Sequence, residues 1–130
     1  KTTCWDGVRN YQARNFMRDD MRKGDLAFYY HSSCEPAGIV GIVEVVKTAY
    51  ADHTAFDSQH EHFDPKSKVH EPTWYMVDFK LKRKLKRMIT LHSIKQHLQA
   101  LPNLLLLRKG NRLSVMPIEK QEWDFILSLE

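Results

Sequence analysis

The stretch Gly38-Ile39-Val40-Gly41-Ile42-Val43-Glu44-Val45-Val46-Lys47-Thr48-Ala49-Tyr50 constrains the fold of this chain more than any other. Its β-branched residues lose rotamer freedom in a helix and pack well on a pleated surface, so they specify a strand. The stretch is too apolar on both faces for a solvated edge and belongs inside a sheet. Gly38 and Gly41 weaken a strand unless they mark a bend or the close approach of another backbone.

Neighbouring segments supply partners for that strand. Leu26-Ala27-Phe28-Tyr29-Tyr30-His31 is short, aromatic and bounded by Lys23-Gly24-Asp25 and Ser32-Ser33-Cys34-Glu35-Pro36, which predicts a second strand. Trp74, Met76, Asp78, Lys80 and Lys82 alternate with Tyr75, Val77, Phe79, Leu81 and Arg83. That pattern predicts a long strand with one inward and one increasingly basic face, bending or pausing near Arg83.

Helical spacing appears at the periphery. Val8, Tyr11, Ala13, Phe16, Met17 and Met21 recur near every third and fourth residue, so a helix is expected over about 10–22, capped by Asn10 and ended by Gly24. Leu91, Ile94, Leu98 and Leu101 share one face of a short helix stopped by Pro102. Residues 104–107 and 113–116 flank Lys109-Gly110-Asn111, a turn composition, and Trp123, Ile126, Leu127 and Leu129 predict a terminal helix packed on the sheet. Residues 51–72 carry Asp, His, Ser, Pro and Lys and read as a long surface loop. Central strands with few outer helices predict an α+β fold, a curled sheet or small barrel, although periodicity alone does not separate it from other α+β folds.

A chain of 130 residues, 42% hydrophobic and 28% charged with five Gly and five Pro, has the composition of one packed domain and not of a disordered tail. Its longest apolar run, Leu104-Leu105-Leu106-Leu107, is far short of the roughly 20 residues that cross a membrane, so a soluble protein with no membrane partner is expected. No leader pattern is visible, which points to a cytoplasmic or nuclear compartment, and a bridge between Cys4 and Cys34 is not expected there. The chain opens at Lys1 without methionine, so a missing or processed N-terminal segment is expected. A net charge of +4 biases the protein toward phosphate-rich partners without proving one. Lys80, Lys82, Arg83, Lys84, Lys86 and Arg87 concentrate that charge; they suit sequence-independent phosphate contacts or, equally, a strand kept charged against edge pairing.

Trp5-Asp6-Gly7-Val8-Arg9-Asn10-Tyr11-Gln12-Ala13-Arg14-Asn15 sets an aromatic residue, amide side chains and two arginines at a helix entrance. Free N–H groups and the positive end of the helix dipole favour an anion or a carbonyl there. This run is followed by Phe28-Tyr29-Tyr30-His31-Ser32 and Gly38-Ile39-Val40-Gly41. Asp64-Pro65-Lys66-Ser67-Lys68, Pro72-Thr73-Trp74 and Arg112-Leu113-Ser114-Val115-Met116-Pro117 complete the series. In order and spacing the series resembles the EVE domain of the PUA-like superfamily over nearly the whole chain. The resemblance implies a single domain over 1–130 with a PUA-like curled, mixed β-barrel and small peripheral helices. It also implies a non-catalytic pocket for one flipped or unpaired modified base, modified cytosine above all, in DNA or RNA. EVE domains begin with a strand bearing a Lys-Ser-Glu-Pro-like signature; nothing before Lys1 supplies it, so that strand is expected to be missing.

A base reader needs an aromatic plane and fixed donors and acceptors for the base edge. Trp5, Tyr30 and Trp74 are the candidate planes, Trp5 preferred for its polar neighbours, against the plainer reading of each as a core or rim aromatic. Arg9, Asn10, Gln12, Ala13 and Asn15 form the candidate wall, against the plainer reading of a cap and a solvated helix. The resemblance places Tyr30-His31-Ser32 near the pocket, and Arg112 and Ser114, expected to alternate on a strand, share one face. Lys80, Lys82, Lys84 and Lys86 are weaker candidates for phosphate contact. His60-Glu61-His62 with Asp57 and Asp64 has metal-like spacing but lacks a fixed scaffold, so neither a metal nor a cofactor is assigned. Two rivals stand: a small ASCH-like ribonuclease or hydrolase using His31 with Ser32 or a lysine, and a module binding a small molecule or protein.

Overall fold

A computed structural model describes residues 2–33, 35–109, 111 and 113–130. Among the described residues four strands, β1 (Thr2–Trp5), β2 (Leu26–His31), β3 (Gly38–Ala51) and β4 (Tyr75–Thr90), form one antiparallel sheet in the order β1-β4-β3-β2. Helices α1 (Tyr11–Asp19), α2 (Leu91–Lys95) and α3 (Lys120–Leu127) accompany it, with 3-10 turns at His53–Phe56, Leu98–Ala100 and Leu105–Leu107. The expected α+β class holds, and β3 lies inside the sheet as its two apolar faces require.

The chain divides into two compact units. The first comprises residues 1–25, 44–80 and 113–115, and its core is Val8, Ala13, Met17, Met21, Val45, Ala55, Trp74, Met76, Val77 and Phe79. Here β1 pairs antiparallel with β4, Thr2 opposite Lys80 and Trp5 opposite Val77. Sequence reasoning passes over β1 because four residues carry too little pattern. Met76 and Val77 are both buried, so the start of β4 is covered on both faces and not split into an inward and a basic face.

The second unit comprises residues 26–43, 81–112 and 116–130, with a core of Ile39, Ile42, Leu85, Ile89, Ile94, Leu101, Leu104 and Ile126. Phe28 of β2 stacks on Trp123 of α3 with ring centroids 3.9 Å apart, which carries the expected packing of the terminal helix. The two strand glycines mark a close backbone approach: a Cβ on Gly38 would stand 2.5 Å from the Ile89 carbonyl oxygen, and one on Gly41 3.2 Å from that of Arg83.

Several boundaries differ from expectation. Helix α1 stops at Asp19, where the Asp20 N–H bonds the Phe16 carbonyl, well before Gly24. Strand β4 runs to Thr90 without pausing at Arg83, since Leu85 and Ile89 continue to reach the core. Leu98 is 54% exposed because α2 ends at Lys95, and the turn that follows rotates Leu98 away while Leu101 stays buried. Residues 113–116 form no strand; Ser114 sits exposed at a bend. Gly110 and Cys34 lie outside the described residues.

Candidate functional site

Asp52, at the end of β3, organises the first unit. It is fully buried and accepts the Gly7 N–H at 2.8 Å, Arg9 Nη1 at 3.0 Å and the Thr54 N–H at 2.9 Å. Burial pushes its carboxyl toward the neutral form, but the bonds from Thr54, Gly7 and Arg9 outweigh that and hold its pKa below the ordinary value. The turn between β1 and α1 is thereby tied to residues 52–54. Gly7 has φ +75, and a Cβ there would stand 2.6 Å from Nδ1 and 2.8 Å from Nε2 of His62. Only glycine meets both demands.

Arg9 continues the network outward. Its Nη2 donates to the His62 carbonyl at 2.7 Å and to Thr54 Oγ1 at 3.3 Å, and its guanidinium carbon lies 5.4 Å from the Trp74 ring centroid. Residues 51–72 lie largely at the surface, as expected of a long surface loop, but are pinned by a few buried anchors. Asp52, Thr54, Ala55 and Ser67 are buried, and Asp64 accepts the Trp74 indole N–H at 2.6 Å. The Trp74 donor is the chief reason the Asp64 carboxyl stays below the usual carboxylate range.

The expected site residues of this unit take distinct positions. Trp5 is half-buried at the end of β1. The Asn10 side chain accepts the Ala13 N–H at 3.0 Å and is the helix cap. Gln12 and Asn15 are exposed on α1, with Asn15 Oδ1 accepting Arg14 Nε at 2.9 Å. Ala13, at 1% exposure, fills the core, and Trp74, at 5%, lies beneath Tyr11 with centroids 5.0 Å apart. Ser114 is exposed, and residues 113–116 lack the strand that was expected to set it on one face with Arg112. Arg112 itself lies outside the described residues. Sequence reasoning missed Asp52 and Tyr11: the first hides in a polar stretch read as solvated, the second in the apolar stripe of the helix.

In the second unit Tyr30 and His31 are half-buried and Ser32 is exposed, and the His31 ring meets Tyr29 edge-on at 5.2 Å. The expected base wall draws on both units, so neither holds all of it. Lys82, Lys84 and Lys86 are exposed on β4, where Arg83 makes a bidentate pair with Glu130 at 2.9 and 3.0 Å. Lys80 is exposed in the first unit. His60 Nδ1 accepts the His62 N–H at 3.0 Å, and among the described residues no three His, Cys, Asp or Glu converge as a metal site. Nor is any helix among them long and apolar enough to cross a membrane.

This arrangement of sheet, helices and polar turn defines a PUA-like α+β domain. The model of the EVE domain matches residues 1–129, and the chain belongs to that family. Thymocyte nuclear protein 1 of Homo sapiens is 49% identical over 137 residues, covering 100% of this chain and 60% of that protein. Uncharacterized protein C21.03c of Schizosaccharomyces pombe is 37% identical, over 99% of this chain and 54% of its own length. The chain thus spans about 60% of the human relative. Among solved structures, the DUF55 domain of human thymocyte nuclear protein 1 superposes with a TM-score of 0.93 at 48% identity, covering 98% of this chain and 79% of that one. Human THYN1 in complex with 5-methylcytosine containing DNA gives the same TM-score and identity, covering 98% and 78%. A Pseudomonas syringae protein matches at 0.93 and 45% identity, covering 98% and 85%.

Proposed function

We propose that residues 1–130 act as one EVE domain, a non-catalytic DNA-binding module that captures a single modified base, 5-methylcytosine, beside the turn from Trp5 to Arg9. The observation that carries this reading is the 48% identity, over 98% of the chain, to human THYN1 solved with 5-methylcytosine containing DNA. The local chemistry supports it. Trp5 offers a half-exposed plane, Gln12 and Asn15 present amide donors and acceptors, and the turn is held in one conformation by buried Asp52. The relatives named thymocyte nuclear protein support a nuclear setting in a eukaryote.

Titration of the protein with oligonucleotides that differ only in carrying cytosine, 5-methylcytosine or 5-hydroxymethylcytosine tests this reading. Tighter binding of the 5-methylcytosine strand is expected; equal or absent binding to all three overturns it. Incubation with labelled RNA tests the non-catalytic part, which fails if the strand is cleaved and His31→Ala abolishes the cleavage.

A further inference from the structure

The exposed ring of Tyr11 is the feature that base capture beside Trp5 leaves unused. Tyr11 is 61% exposed although it stacks at an interplanar angle of 29° on buried Trp74. Both the tile and its support are fixed. The Trp74 indole is bonded to Asp64, and Arg14, whose guanidinium carbon lies 4.9 Å from the Tyr11 centroid, donates to the Thr73 carbonyl at 2.8 Å. Arg14 stands only 5.9 Å from Trp74, whereas a position on the far face of Tyr11 would put it roughly 10 Å away, so it flanks the stack and does not cap it.

We propose that Tyr11 is a second stacking platform, which takes an unpaired nucleobase next to the captured one while Arg14 faces the adjoining phosphate. This rests on the DNA-binding reading above and extends it from one base to two. The ligand class follows from the surroundings of the ring. Two guanidiniums, Arg14 beside Tyr11 and Arg9 beside Trp74, repel cationic guests such as methylammonium groups. They favour instead a neutral aromatic face carried on an anionic backbone, which is what an unstacked nucleotide presents. Since every base has such a face, the platform is tolerant of sequence and adds affinity without adding choice of base.

A single-stranded DNA with 2-aminopurine next to 5-methylcytosine tests the proposal, titrated with the wild-type chain, Tyr11→Leu and Tyr11→Trp, each shown by circular dichroism to be folded. Wild type and Tyr11→Trp are expected to quench 2-aminopurine on binding. Tyr11→Leu should lose the quenching and bind roughly 5- to 150-fold more weakly. The platform is overturned if Tyr11→Leu binds and quenches like wild type, or if Tyr11→Trp is as weak as Tyr11→Leu. Failure of the wild type to bind any of these strands overturns the DNA-binding reading and the platform with it.

Discussion

Arg9 and Asp52 form an ion pair with unequal partners: Nη1 lies 3.0 Å from Oδ2, yet the Asp52 side chain is wholly buried while that of Arg9 is 24% exposed. The carboxylate is what the surrounding backbone depends on. Replacing it by alanine leaves the Gly7 and Thr54 N–H groups without their acceptor and Arg9 without its counter-charge. Asp52→Ala should therefore cost about 3–5 kcal/mol, read as a fall in the midpoint of urea denaturation. A loss below about 1 kcal/mol would mean that the network is not structural.

Acid should undo the same contact. Burial alone would raise the Asp52 pKa, but its hydrogen bonds reverse the sign and leave the folded value below the unfolded one. Stability from a depressed carboxylate is complete above the unfolded pKa and is lost as pH falls through the folded value. The stability gap between wild type and Asp52→Asn should stay constant from neutral pH down to about 5 and shrink below about 4, measured by denaturation at each pH. A gap that is unchanged at pH 2 would contradict this assignment.

The Gly7 position tests two restraints at once. Alanine at φ +75 costs about 1–2 kcal/mol in backbone energy alone, and its methyl would collide with the His62 ring. Gly7→Ala should exceed that range, and pairing it with His62→Ala should recover only the part due to the collision. Full recovery in the double variant would show that the backbone conformation itself is unstrained.

The two glycines of β3 should respond unequally. A methyl on Gly38 meets the backbone at Ile89 and Thr90, which cannot rotate aside, whereas on Gly41 its nearest neighbour is 3.2 Å away. Gly38→Ala should lose about 1–3 kcal/mol and Gly41→Ala less. Thermal melts of the two variants in the reverse order would argue against a tight crossing at Gly38.

Trp74 and Asp64 offer a test at a single atom pair. The indole N–H is the main influence holding the Asp64 pKa down, so Trp74→Phe should raise it toward the ordinary aspartate value. Carboxyl carbon NMR titration of both proteins reads this directly. An unmoved Asp64 curve would place the cause elsewhere.

Much of the fold was legible in the residues because period and composition are local. The β-branched run predicts β3 and its two glycines the close crossing, while Leu26 to His31 marks β2 at its observed limits. What escaped depended on partners distant in sequence. Four residues become β1 only because β4 lies ready to pair with them, and β4 itself continues past a basic run because Leu85 and Ile89 still find a core. Residues 51–72 look solvated by composition, yet Asp52 is buried by bonds to residues more than forty positions earlier. Of the site, the entrance to α1 could be read directly, down to the cap at Asn10. The Tyr11–Trp74 stack could not, since nothing in the sequence joins positions 11 and 74.

That stack also gives the molecule an optical property. Trp74 is buried, hydrogen-bonded to a carboxylate and covered by an aromatic ring, whereas Trp5 and Trp123 are each part-exposed. Three indoles in three settings should emit differently, and the one beneath Tyr11 is shielded from water by the very surface on which a guest would land. With Trp5 and Trp123 replaced by phenylalanine, the remaining fluorescence becomes a native gauge of that surface, with no dye attached.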